Sequence, residues 1–151
     1  MFSWGLLSED HVAAIISYIY SMKEETLRDY FDNLISTDIL YMDVEGSEVK
    51  TSPDVIRTHI EDINEDGEYT ITRNHLLKLC NDTLNGNLKT NHLTTIAFAL
   101  ICSDYFTWDS DEDDVVANVI FDWDNPDINY PVTIENLKKW RHYLLTDQYT
   151  F

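Results

Sequence analysis

Residues 92–106 read HLTTIAFALICSDYF, a run that is apolar almost all the way round a helical wheel once Asn91 opens it. A helix with no polar face has no place on a surface, so it belongs in the middle of a domain with other helices around it. The flanking segments are amphipathic at the same period. Upstream, Thr72 caps a helix that turns Leu76, Leu77, Cys80 and Leu84 inward and stops at Gly86. Downstream, Asp109, Asp111, Glu112, Asp113 and Asp114 straddle the start of a helix, where negative charge suits the positive end of the macrodipole. That helix buries Val116, Val119, Ile120 and Trp123 and closes at Asn125-Pro126; Thr133 caps a last one, striped by Ile134, Leu137, Trp140 and Leu144.

Toward the N-terminus the pattern predicts a helix from Ser8 to about Met22, with Val12, Ile15, Ile16 and Ile19 on one face. A second restarts at Lys23 to Glu25 and carries Leu27, Tyr30, Phe31 and Leu34, forming an antiparallel hairpin with the first. From Asp38 to Lys50 the helical period breaks, and β-prone residues on either side of Glu45-Gly46-Ser47 predict a small β-hairpin or extended loop. Ser52-Pro53 reads as the start of a third helix lined by Ile56, Ile60 and Ile63. Tyr69-Thr70-Ile71 suits a brief strand. The expected fold is mostly α: one domain over residues 1–151, a bundle of about seven helices around a buried central helix, with room for a small β-hairpin.

A chain of 151 residues can bury a proper core, and 44% hydrophobic with 13% aromatic residues sets it apart from a disordered acidic tail. Four Gly and three Pro leave few forced turns, which favours helices over a many-stranded sandwich. The net charge of −18 repels nucleic acid and anionic membrane surfaces and attracts basic partners. Cys80 and Cys102 lie in apolar helical stretches and read as buried thiols. With neither a signal-peptide pattern nor a membrane-spanning run, the expected location is the cytoplasm.

The charge is concentrated. Asp104 to Asp127, DYFTWDSDEDDVVANVIFDWDNPD, holds nine carboxylates, two tryptophans and two phenylalanines, and no Lys or Arg occurs between Lys89 and Lys138. Five acids within the six residues 109–114 repel one another, each pair at 4 Å by about 1 kcal/mol even in bulk water. A partner's Lys and Arg would relieve that strain. Trp123 has the phase of a core residue, whereas Trp108 lies between the buried helix and the acidic run.

Rival sites are weaker. Asp62 to Thr70 imitates the first half of a calcium loop, with oxygen donors at alternate positions and Gly67 sixth, but Arg73 occupies the twelfth position, where a carboxylate is needed. The run Asp109–Ile120 fails the same template twice, at Asp114 and Ile120. Asp43, Glu48 and Lys50 spell the metal-binding core of a nuclease at tighter spacing than that chemistry uses. His11, His59, His75, His92 and His142 are scattered singly and read as surface or satisfied core histidines. No catalytic set, metal site or cofactor is expected.

In its small size, acidity, helix layout and the run WDSDEDDVVANVIFDWDNPD, the chain resembles the immunity proteins of bacterial toxin–immunity systems, of the contact-dependent growth inhibition and nuclease bacteriocin types. The resemblance implies a non-enzymatic, cytoplasmic protein whose partner is a cognate basic toxin domain, often a nuclease. The surface it implies comprises Asp109, Asp111, Glu112, Asp113, Asp114, Asp122, Asp124 and Asp127 as phosphate substitutes, with Trp108, Tyr105 or Phe106 as apolar anchor. Two alternatives stand beside it: a nucleic-acid mimic inhibiting a DNA-binding or restriction protein, and a metal-dependent enzyme using Asp43, Glu48 and Lys50.

Overall fold

The computed structural model describes the backbone of residues 21–52 and 55–151, and the side chains of residues 22–47 and 59–151. In chain order the elements are β1 (Ser21–Lys23), α1 (Glu24–Phe31), α2 (Thr37–Ser47), β2 (Glu48–Ser52), β3 (Val55–Glu61), β4 (Tyr69–Thr70), α3 (Arg73–Leu84), α4 (Thr90–Cys102), β5 (Phe106–Thr107), α5 (Asp114–Asp124) and α6 (Ile134–Thr146). The fold is mostly helical with a few short strands. The expected helix from Ser8 lies outside the described residues, except that Ser21 and Met22, at its end, belong to β1.

The central helix is α4, whose Leu93, Ile96, Ala97, Ala99 and Leu100 are buried. It packs on α5 and α2, while α3 packs on α6. The helix ends at Cys102, short of the expected Phe106, because Ser103 is extended and its hydroxyl accepts the backbone N–H groups of Tyr105 and Phe106. The chain thereby turns into β5, which pairs in parallel with β4. This short sheet carries the acidic segment to the N-terminus of α3.

Two expectations in the first half are corrected. Residues 38–47 are helical rather than a hairpin, since Leu40, Val44 and Ser47 recur at helical spacing and are buried together. Tertiary burial of that stripe outweighs the β-prone local composition. The segment expected to be a helix from Ser52 is strand β3, which pairs antiparallel with β2 and in parallel with β1. Ile56 and Ile60 fit a period of two as well as a period of four, and β-branched Val55, Ile56, Thr58 and Ile60 favour the strand.

Helix ends follow local chemistry. Asn33 (φ 59°) and Gly86 (φ 81°) take the left-handed conformation just past α1 and α3. There Leu34 N–H reaches Asp29 O at 2.8 Å and Asn87 N–H reaches Asp82 O at 2.8 Å, closing both helices with Schellman-type bonds. Leu34 therefore lies beyond its helix, 69% exposed. Between α5 and α6 the fully buried rings of Trp123 and Trp140 meet edge to face at 6.3 Å. Cys80 is buried, but Cys102 is exposed, contrary to expectation.

Candidate functional site

The acidic run folds as a tight turn rather than a loose strap. Asp109 Oδ1 accepts the N–H groups of Asp111 and Glu112, both at 3.2 Å, and Asp109 O accepts from Asp113 N–H at 3.2 Å. Asp113 does two jobs. Its Oδ1 caps α5 by accepting from Val115 N–H at 3.1 Å, and its carboxylate takes two hydrogen bonds from Arg73, Nε–Oδ2 at 2.7 Å and Nη2–Oδ1 at 2.9 Å. Arg73 also reaches Leu144 O at 3.3 Å and Asp147 Oδ1 at 2.5 Å, so one guanidinium joins α3, α5 and the end of α6. The guanidinium holds the Asp113 carboxyl below the usual carboxylate range.

The five acids therefore divide into two groups. Asp109 is engaged by backbone N–H groups and Asp113 by Arg73, whereas Asp111, Glu112 and Asp114 are exposed and have no cation partner among the described residues. Beside them Trp108, half-buried, meets Phe121 of α5 edge to face at 6.4 Å, and Phe121 is 50% exposed. An open cavity of about 420 Å³ runs along the same edge, lined by Ile71, Arg73, Asn74, Asp109, Asp113 and Val116.

The remaining nominated residues do not join this edge. Phe106 is only 2% exposed, packed against Phe31 and Tyr69, and is a core residue rather than an anchor. Tyr105 stands between Tyr69 and Phe106 with the Arg28 guanidinium against its hydroxyl, a poor seat for a basic partner. Asp122 accepts from Trp140 Nε1 at 3.0 Å and Tyr149 hydroxyl at 2.7 Å. Asp124 is half-buried, and burial pushes its carboxyl up; Asp127 is exposed. Sequence reading left out Phe121 and the segment 147–151, whose Tyr149 and Phe151 fold back onto Tyr143 and Trp140. The signal for Phe121 was its phase: with Asp114 and Asn118 it forms the exposed i, i+4, i+7 stripe of α5.

The rival sites come apart. Asp43 is on α2, where its Oδ2 accepts Lys23 N–H at 2.8 Å, while Glu48 and Lys50 follow on β2, with side chains outside the described residues. Arg73, which spoils the calcium template, is the hub just described. His75 and His92 cap helices: Nδ1 of each accepts the N–H three residues earlier, from Thr72 at 3.0 Å and Lys89 at 3.1 Å. Both sit in an Asn-His-Leu triplet, at 74–76 and 91–93. Among the described residues, no group of three His, Cys, Asp or Glu side chains is placed to hold a metal ion. No described helix is long and apolar enough to cross a membrane.

A different acid pair, away from the acidic turn, sets a buried Glu24 against an exposed Asp62. Glu24, at the start of α1, is 1% exposed; it accepts from Ser103 hydroxyl at 2.5 Å and lies against Asp62. Burial first, and Asp62 next to it, push its carboxyl up to about 7.

No family model matches the chain, and no curated protein or solved structure matches it either.

Proposed function

We propose that this protein is an immunity-type inhibitor that binds a cognate basic toxin domain and neutralises it through the Asp109–Asp114 turn and the neighbouring aromatic pair. The supporting observation is that Asp111, Glu112 and Asp114 stand exposed without a cation partner among the described residues, next to the solvent-reaching rings of Trp108 and Phe121. Carboxylates held in a hydrogen-bonded turn need little reordering on binding, so less of the contact energy is lost to entropy. They would take the place of phosphates against the toxin's Lys and Arg. The net charge of −18 steers such a partner inward, raising association rates by roughly 10 to 10³ at low salt. The two rings would supply the desolvated anchor that slows release.

A nucleic-acid mimic calls for carboxylates strung out at phosphate-like spacing, and the compact turn beside an aromatic pair supports the toxin reading better. The metal-enzyme alternative loses support because Asp43 is already engaged by the backbone of Lys23.

The test is capture from the native cell at low salt, followed by expression of the captured protein's basic domain in a susceptible host. The expected result is growth arrest that is relieved by this protein and not by its Asp111→Ser/Glu112→Ser/Asp114→Ser variant. Equal protection by the variant, or a captured domain with no toxicity, would refute the proposal.

A further inference from the structure

Where α5 meets the end of α6 and the segment after it, a second cavity, of about 280 Å³, is lined by Asn118, Asp122, Tyr143 and Tyr149. Its walls are aromatic. The rings of Tyr143 and Tyr149 lie 4.9 Å apart, and Tyr149 continues into Phe151 at 5.0 Å and thence into Tyr130 at 4.3 Å. Its one charge is Asp122. Both donors that reach this carboxylate, Trp140 Nε1–H and the Tyr149 hydroxyl, are directed at Oδ2, and Oδ1 accepts no hydrogen bond among the described residues. Asn118 spends an amide hydrogen on the Tyr143 hydroxyl at 2.9 Å, which leaves its carbonyl oxygen as a further acceptor. Tyr149 remains a protonated donor, because burial and the Asp122 carboxylate both push its phenol up.

The chemistry left over in the cavity is one-sided: spare acceptors, a negative charge, aromatic faces and no Lys or Arg among the lining residues. An anion would be repelled by Asp122. A neutral apolar group would cover a carboxylate without pairing it, which is costly. A single carboxylate is too few ligands for a metal ion. A planar cation fits every feature, since a guanidinium donates in a fork to carboxylate and amide oxygens and stacks on phenol rings. Lys139 lies over the Phe151 ring at 5.2 Å. A volume near 280 Å³ admits a side-chain head group but no element of secondary structure.

We infer that the Asn118–Asp122–Tyr143–Tyr149 cavity receives the guanidinium of an arginine presented by a protein partner. The inference rests on the toxin reading for the owner of that arginine, while the pocket's preference for the side chain stands on its own chemistry. It gives the partner a second point of contact, apart from the acidic turn and made by α5 with residues 143–149.

The test is an NMR titration of the intact chain with N-acetylarginine amide at physiological ionic strength. The side-chain N–H resonance of Trp140 serves as reporter, because that group donates to Asp122. N-acetylcitrulline amide, similar in shape but uncharged, is the control. The expected result is a saturable shift of the Trp140 signal, at least tenfold weaker with the citrulline probe and in the Asp122→Asn and Tyr149→Ala variants. If Asp122→Asn disturbs the fold, Tyr149→Ala decides. The Asp111→Ser/Glu112→Ser/Asp114→Ser variant should bind the arginine probe like the parent. A shift that does not saturate, that the citrulline probe reproduces, or that vanishes in the acidic-turn variant would overturn the inference. Saturable arginine binding without any toxic partner strikes the functional proposal alone; a captured toxin with no arginine binding strikes the pocket alone.

Discussion

Arg73 and Asp113, forty positions apart, face each other through two hydrogen bonds of 2.7 and 2.9 Å, and the same Asp113 caps α5. One acid of the dense acidic run is thus an internal clamp between α3 and α5. With Asp109 holding the backbone of the turn, this clamp leaves Asp111, Glu112 and Asp114 facing solvent.

The clamp makes the acids separable by experiment. Asp113→Ala should cost about 1–2 kcal/mol in denaturant unfolding, from a lost cap and a lost bidentate pair. Replacing Asp111, Glu112 and Asp114 by Ser should leave stability unchanged or slightly raised, because it relieves repulsion. The folded Asp113 carboxyl titrates below its unfolded value, so its contribution is present above the unfolded carboxylate range and fades as pH falls through the folded one. Parent and Asp113→Ala stabilities should therefore converge as pH falls below the unfolded carboxylate range. Equal loss in the two variants at neutral pH would contradict the division of roles.

Glu24 has the opposite sign. Its carboxyl is raised to about 7 from 4.5, so the folded state holds the proton more tightly than the unfolded chain. Its stabilising effect is complete below about 4.5 and is lost as pH climbs to 7, where Glu24 must ionise against Asp62. Glu24→Gln keeps an acceptor for Ser103 and removes the titration. The variant should match the parent near pH 4.5 and exceed it by roughly 1–3 kcal/mol at pH 8. Parallel stability–pH curves for the two proteins would show that Glu24 does not titrate in this way.

The two capping histidines should differ in cost because they differ in burial. His92 is buried, with Nδ1 accepting from Lys89 N–H and Nε2 donating to Glu45 at 2.5 Å. His92→Ala leaves a hole and an unpaired N–H group, for a loss of about 2–4 kcal/mol. His75, half-buried beside Tyr69, should lose only about 1 kcal/mol on the same change. Burial holds the His75 imidazole below its ordinary range, so its cap is lost only as pH falls through that lowered value. Thermal melts of both variants at neutral pH check the order.

Leu100→Asp tests the core. Leu100 is buried in α4, and an unpaired carboxylate there should cost more than about 4 kcal/mol and abolish a cooperative melt. A native-like transition would mean that α4 is not the central element.

The sequence alone was sufficient for the helices of the second half, though not for the end of α4 at Cys102 or for strand β5. From residue 72 onward each helix has a capping residue, an apolar stripe and a stop within a dozen or so positions, and local rules suffice to read such signals. It was insufficient for residues 38–61, where β-branched and apolar residues satisfy two periods at once. There, packing decided, putting Leu40 and Val44 on a helix and Ile56 and Ile60 on a strand between two others. The site divides the same way. Composition located the acids, because charge density is a property of the chain. How far each acid is engaged internally depends on groups far away in sequence: Arg73 takes both oxygens of Asp113, while Trp140 and Tyr149 take only Oδ2 of Asp122. Only folding brings those donors within hydrogen-bonding distance, and so only the tertiary structure separates carboxylates that hold the protein together from those left facing solvent.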